Sequence, residues 1–383
     1  MFLRSFPLQK HPKQSFFLWG PRKVGKSTLL RTLYPHAHWV DLLETDTWAR
    51  LIKEPWLLRR DIEGMAKKPE LVIIDEVQRV PQLLDEVHLM IERMGMAFAL
   101  SGSSARKVRR GKANLLGGRA LRYELYGLTI REIAGAYDLT HILNTGSIPE
   151  HVMAERPEAT LDSYVNNYLR EEILEEGLVR SLQPFSKALV ACALSDASPI
   201  SYTPIARDCG VSSQTVRDYV QIMEDTLIAS LVPAYTRRPK RRVRHTPKIF
   251  FFDVGVVNAL AKRRRIEPES QAYGQALENW IHHELRAHRM YSGLFHDLTY
   301  YRTTGGVEVD FILGDMDAAI EVKATDHARD HHLKSLRMIA EDYTVKQRIL
   351  VCLESHAMET DDGIRILPVE EFLRELWEGK ILQ

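Results

Sequence analysis

The residues with the clearest chemistry are Gly20-Pro21-Arg22-Lys23-Val24-Gly25-Lys26-Ser27. They fit the spacing G-x-x-x-x-G-K-[ST], in which glycines let backbone N–H groups wrap a chain of phosphates. Lys26 has the reach and charge for the β- and γ-phosphates, and the Ser27 hydroxyl is an oxygen ligand for Mg²⁺. Thr28 extends the nucleotide-contacting stretch. The apolar Phe16-Phe17-Leu18-Trp19 before the glycines predicts a strand, and Thr28-Leu29-Leu30-Arg31-Thr32-Leu33 after them predicts a helix. That strand–loop–helix context gives the motif its meaning and implies ATP with Mg²⁺.

A second element is Leu71-Val72-Ile73-Ile74-Asp75-Glu76. Its apolar run reads as a strand buried on both faces of a parallel sheet, with two carboxylates at the end where open α/β sheets place ligands. Asp75 suits the Mg²⁺ shell, and Glu76 suits orienting or deprotonating the attacking water. A third strand, Met96-Ala97-Phe98-Ala99-Leu100, runs into Ser101-Gly102-Ser103-Ser104. Ser103 is placed to sense a γ-phosphate or the attacking water, with Ser101 as the alternative. Beyond lie Arg106-Lys107-Val108-Arg109-Arg110 and Gly117-Gly118-Arg119. Arg119, freed by its paired glycines, is the expected arginine finger acting on a neighbouring subunit, which implies a homo-oligomer. A solvated basic loop is the other reading.

The C-terminal third carries a different constellation. Glu278 lies on a predicted helix that also holds Trp280, Ile281 and Leu285. After a hairpin turn at Gly305-Gly306, strand alternation places Glu308 and Asp310 on one face and Val307, Val309, Phe311 and Leu313 on the other. On the next strand, Glu321 and Lys323 share a face. Glu278, Asp310 and Glu321 form an acidic set suited to a divalent ion such as Mg²⁺, which takes oxygen ligands. A metal there could generate hydroxide for phosphodiester cleavage, with Lys323 positioning the attacking water or stabilising the charged transition state. A half-solvated sheet edge with ion pairs, or an inactive fold that binds DNA, is the alternative. His327 and His331 sit on a polar segment and read as surface residues.

These residues need a scaffold. Residues 1–135 read as an α/β nucleotide-binding core, 136–185 as a helical lid or linker with Tyr164, Tyr168 and Ile173 on an apolar stripe, 186–262 as a helix-turn-helix with a basic hairpin, and 263–383 as a second α/β domain. In the third segment Pro204–Cys209 is a short helix, Gly210-Val211 the turn and Ser212 an N-cap. Val216, Tyr219, Val220, Met223 and Leu227 recur at helical spacing and face inward. Ser213, Gln214, Thr215, Arg217 and Gln221 face outward, where side chains can touch bases or phosphates. The run Arg237, Arg238, Lys240, Arg241, Arg242, Arg244 places six cations in eight residues, before the strand Lys248–Phe252. Such a hairpin can lie along DNA phosphates. A protein-interaction module is the competing reading.

The chain has 383 residues, three scattered cysteines and a net charge of +1. Several domains are expected from the length, and neither a disulfide framework nor a zinc site from the cysteines. With overall charge near zero, the cations at 237–244 and at Lys262-Arg263-Arg264-Arg265 are a local feature. No apolar run reaches membrane-spanning length, and the N-terminus leads directly into the first strand, so a cytoplasmic location without a signal peptide is expected.

The segments GPRKVGKST, LVIIDE and FALSGSS resemble those of AAA+ ATPases of the P-loop superfamily. More narrowly, the chain resembles a bacterial and archaeal family that joins an AAA+ core to a winged helix and a nuclease-like C-terminal domain. Glu278, Asp310 and Glu321-x-Lys323 are similar to the PD-(D/E)XK nuclease set, in an order like that of archaeal Holliday-junction resolvases. Glu308-Val309-Asp310 stands where the Pro-Asp pair that names that fold would be. The resemblance implies an ATP-hydrolysing protein that binds double-stranded or branched DNA and remodels or processes it, with metal-dependent cleavage open. Two other functions remain: a nucleotide-dependent switch that binds DNA or protein without cleaving, and defence against foreign DNA.

Overall fold

The computed structural model describes residues 2–9, 12–104, 116–169, 182–237, 243–268 and 270–382. The run Arg106–Arg110, Ile173, Arg238, Lys240, Arg241 and Arg242 lie outside the described residues, as does the side chain of Tyr168. The chain forms two compact units, Met1–Leu128 with Ile222–Ile228, and Thr129–Gln221 with Ala229–Gln383.

The first unit is built on β1 (Ser15–Trp19), β2 (His38–Asp41), β3 (Leu71–Asp75), β4 (Ala97–Gly102) and β5 (Ala120–Glu124). They form a parallel sheet in the order β2-β3-β4-β1-β5. Every residue of β1, β3 and β4 is buried. That explains their unbroken apolar runs, since a parallel sheet covered on both faces has no solvent side to leave polar. Phe17, Trp19, Val72, Ile74, Phe98 and Leu100 pack in one core with Leu83, Leu84 and Val87 of the helix Leu83–Met94. Because β4 lies between β1 and β3, the ends of all three strands converge. The glycine loop, Ser101 and Asp75 are thereby neighbours despite their separation in sequence.

In the second unit, short helices at Leu139–Thr145, Pro149–Val152 and Pro157–Ser163 precede a helix at Leu182–Leu194. Tyr164 is buried, as its apolar stripe predicts. The helix Tyr202–Cys209 ends at Gly210, whose φ of 69° is left-handed, a conformation glycine adopts without a Cβ clash. Ser212 Oγ then accepts from Thr215 N at 3.0 Å, capping the helix Ser213–Asp225. In that helix Val216, Tyr219, Val220 and Met223 are buried, while Gln214, Arg217 and Gln221 are exposed. A small antiparallel sheet, ordered β6-β8-β7, joins β6 (Ser198–Pro199), β7 (Ala229–Val232) and β8 (Lys248–Phe251).

The larger sheet contains β9 (Leu298–Arg302), β10 (Glu308–Leu313), β11 (Ala318–Val322), β12 (Gln347–Cys352), β13 (Met358–Glu359) and β14 (Ile364–Pro368). Its order is β13-β14-β12-β11-β10-β9, antiparallel from β9 to β11 and parallel from β11 through β12 to β14. Helices Gln271–Ser292, Asp330–Asp342 and Val369–Trp377 pack against it. The pairing of β9 with β10 shifts register between Val309 and Ile312, the stretch that holds Asp310. The connection between β7 and β8 is not a free hairpin. Tyr235 N donates to Tyr300 O at 2.7 Å and Arg244 N to Arg302 O at 2.9 Å, so its described ends are held against β9. His327 and His331 are exposed. Among the described residues no helix is long and apolar enough to cross a membrane.

Candidate functional site

The glycine loop joins β1 to the helix Lys26–Leu33. Gly25 caps that helix at φ 96°, a left-handed conformation that disfavours other residues. Gly20 is required for a different reason, because a Cβ there would lie 2.4 Å from Leu125 O. Lys26 is buried, and its Nζ donates to Gly20 O at 2.7 Å and Pro21 O at 3.0 Å. Pro21 and Val24 are also buried, Arg22, Lys23 and Ser27 are half-buried, and Thr28 is exposed. Sequence reasoning missed Arg4, whose guanidinium donates to Val24 O at 3.0 Å and Tyr126 O at 2.6 Å, bracing the loop from behind. A lone arginine in the apolar Met1–Pro7 stretch was the available signal.

Asp75 gathers the site. Its Oδ2 accepts from Ser27 Oγ at 2.6 Å, and its Oδ1 accepts from Ser101 Oγ. Two hydroxyls and a carboxylate at the sheet's end supply hard oxygen ligands, which suits Mg²⁺. Glu76 adopts φ 57°, ψ 43°, a left-handed conformation costly for a residue with a side chain and one that clusters at functional sites. Gln78 Nε2 donates both to the Glu76 carboxylate and, at 3.1 Å, to Ser103 Oγ. Thus Ser101 touches Asp75, and Ser103 is tied to the carboxylate that follows it. Gln78 itself was missed. It is buried, and a Cβ on Gly102 would lie 2.2 Å from its Oε1. A glutamine within the apolar frame of Val77 and Val80 was its only trace in the sequence.

Arg119 pairs with Glu92 of the same chain. Both side chains are substantially exposed, and such a pair is weak enough to exchange for another partner.

In the second unit two of the expected acids, Glu278 and Asp310, meet with Glu308 around a residue that the sequence had shown only as the start of a strand, while Glu321 pairs with Lys323. Lys248 is 1% exposed, and its Nζ lies 2.8 Å from Glu278 Oε1, 2.8 Å from Glu308 Oε1 and 2.9 Å from Asp310 Oδ1. Asp310 Oδ2 accepts from Val322 N at 2.9 Å. Lys323 Nζ pairs with Glu321 Oε1 at 2.6 Å, and Arg302 with Glu308 Oε2 at 3.1 Å. Burial and the charge of Asp310 push Glu278 and Glu321 up to about 8. Burial opposes the charge on Lys248, but Asp310, Glu278 and Glu308 outweigh it and hold the ammonium protonated far above its usual range. Among the described residues no three His, Cys, Asp or Glu side chains are placed to hold a metal ion. The set Glu278, Asp310, Glu321 therefore does not fit Mg²⁺ as arranged, because an ammonium sits among its oxygens.

The expected DNA contacts are partly engaged within the protein. Gln214 Nε2 donates to Asp218 Oδ1 at 3.0 Å, and the Thr215 hydroxyl pairs with that of Ser212 at 2.9 Å. The Arg217 guanidinium stacks on Tyr202, 4.3 Å from the ring centre, and remains exposed. Arg237 pairs with Asp297 at 2.9 Å and Asp315 at 3.5 Å, which turns it towards the flanks of β9 and β10. Arg244 is exposed.

Residues 12–134 match the family model described as AAA domain. That match, with the parallel sheet and the loop geometry, supports an AAA+ P-loop ATPase for this part of the chain. Residues 136–267 and 273–372 match two models described as domains of unknown function, DUF8612 and DUF4143. The uncharacterized protein Rv2008c of Mycobacterium tuberculosis is 24% identical over 374 residues, covering 95% of this chain and 82% of its own. An uncharacterized protein of Haemophilus influenzae is 23% identical over 321 residues, covering 79% and 76%. Among solved structures, the Aeropyrum pernix ORC1 protein in complex with DNA aligns at TM-score 0.25 and 13% identity, over 65% of this chain and 86% of that one. A superposition that loose says nothing about what this chain binds.

Proposed function

We propose that the chain hydrolyses ATP at the loop of residues 20–28 and couples the cycle to DNA held by its second unit. The observation that carries this reading is the convergence of Lys26, Ser27, Asp75, Glu76 and Ser101 at the ends of three adjacent strands. ATP binding would draw Lys26 Nζ from the Gly20 and Pro21 carbonyls to the phosphates, exchanging one set of acceptors for another. Ser27 and Asp75 would hold Mg²⁺, which when bound neutralises charge on the phosphates. Glu76 would accept the proton of the water that attacks the γ-phosphorus as the bond to ADP breaks. Gln78 fixes the direction of that carboxylate and ties it to Ser103. Arg119 would leave Glu92 for a neighbouring subunit's nucleotide in an oligomer.

The DNA half of the proposal rests on the exposed Gln214 and Arg217 near the start of a capped helix, in the manner of a winged helix, and on the cations at 237–244. The order of strands and helices in the C-terminal part supports a nuclease-like fold of the PD-(D/E)XK kind. The ammonium of Lys248 among its acids favours the second reading, a nucleotide-dependent switch that binds without cutting. The test is ATP turnover by the full chain with linear, nicked and four-way-junction DNA, beside Lys26→Ala and Arg217→Ala. Stimulation by one DNA form, weakened by Arg217→Ala, supports the coupling. Turnover indifferent to every form removes the DNA half, and turnover that survives Lys26→Ala removes the whole.

A further inference from the structure

We infer that Lys248 is the resident cation of the C-terminal acidic cluster, which is therefore an internal electrostatic joint rather than a divalent-metal site. The inference stands apart from the ATPase reading. Here the ammonium donates to Glu278 Oε1 at 2.8 Å and Asp310 Oδ1 at 2.9 Å and forms a further ion pair with Glu308 Oε1 at 2.8 Å. The charge is thus satisfied where water does not reach it, which a buried charge requires. The position is set by the backbone. Lys248 opens β8, where it pairs with Pro199 of β6 and Val232 of β7, while the acids stand on the helix Gln271–Ser292 and on β10. The ammonium therefore ties the small sheet to the large one, which an ion held by these acids alone would not do, since none of them lies on the small sheet. The Tyr300 ring, 5.4 Å from Nζ, closes another side.

One acceptor is left over. Glu321 Oε2 is buried with no hydrogen-bond partner among the described residues, next to Asp310 on the adjacent strand. Removing the Lys248 side chain would leave Glu278, Asp310 and Glu321 as an all-oxygen set, from whose raised carboxyls a divalent ion could displace the protons as it binds. The lysine and a metal are alternatives for one position.

The experiment is a nucleotide-free Mn²⁺ titration of the full chain, followed by electron paramagnetic resonance. It compares wild type, Lys248→Ala and Lys248→Met, each with and without Asp310→Asn to separate this cluster from Asp75. Wild type is expected to show no Mn²⁺ site that Asp310→Asn removes. Lys248→Ala is expected to gain one saturable site, lost again with Asp310→Asn, and to melt at a lower temperature that Mn²⁺ partly restores. A Mn²⁺ site in wild type that Asp310→Asn abolishes overturns the inference. So does a folded Lys248→Ala chain that gains no site, whereas Lys248→Met, whose side chain still fills the position, is expected to gain none. Should both lysine variants fail to fold, the joint is upheld or overturned by the wild-type titration.

Discussion

Ser27 Oγ donates a 2.6 Å hydrogen bond to Asp75 Oδ2, linking the first turn of one helix to the end of a strand 48 residues away in sequence. The contact exists because β4 is inserted between β1 and β3, and Ser101 of β4 closes on the other oxygen of Asp75. Local motif spacing supplies the serine and the aspartate, but the order of strands makes them one site.

Glu76→Gln keeps the shape of the side chain and removes its basicity. General-base removal typically lowers turnover by roughly 10²–10⁴-fold. Loss of that size is expected in kcat for ATP, with nucleotide affinity retained, since Lys26 and the loop are untouched. Steady-state turnover with a fluorescent-nucleotide titration checks both halves. Unchanged kcat would take Glu76 out of the chemistry.

Gln78 donates to Glu76 and Ser103, so its effect on turnover is expected to pass through them. Gln78→Ala is expected to lower kcat with little change in KM, as Glu76 loses the amide that directs it. Gln78→Glu, which replaces that donor with a second carboxylate, is expected to do worse. A purely structural glutamine would alter the melting temperature and leave kcat and KM where they were.

Much of this was legible in the sequence, for identifiable reasons. The glycine loop and Asp75-Glu76 are contiguous, so their chemistry is written in local spacing, and strands buried on both faces appear as unbroken apolar runs. The choice between Ser101 and Ser103 was not legible. Both follow one strand end, and only the packing shows that Ser101 meets Asp75 while Ser103 meets Gln78. Lys248 stands 30 residues from Glu278 and 62 from Asp310, beside a basic run that draws the eye, so its role is purely tertiary. For the same reason the bonds of Tyr235 and Arg244 to β9 had no local signature.

Gly102 lies at the end of β4, where a Cβ would come within 2.2 Å of Gln78 Oε1 and 2.8 Å of Trp19. Gly102→Ala must displace a buried indole or the glutamine. Overpacking of this kind typically destabilises by about 1–3 kcal/mol. A lower melting temperature together with reduced turnover is expected. Gly95→Ala is the comparison, because a Cβ there meets nothing within 4 Å and only the left-handed φ of 62° is strained.

Asp196 gives the molecule a pH dependence of stability that runs opposite to the familiar one. Burial raises its carboxyl from 3.8 to about 7, although Phe251 N and Asn279 Nδ2 donate to it and favour the charged form. Between about pH 4 and about pH 7 the folded state holds a proton that the unfolded chain has released. Stability therefore falls as pH rises through that window, by up to about 1.4 kcal/mol per pH unit for this group, and levels off above it. Glu284, pushed up to about 8 by burial, adds in the same direction. Asp196→Asn cannot release a proton and retains an oxygen to accept from Phe251 N. Its urea-unfolding free energy is expected to fall less steeply than that of wild type from pH 5 to 7. Parallel slopes for the two proteins would mean that the buried carboxyl is ionised throughout.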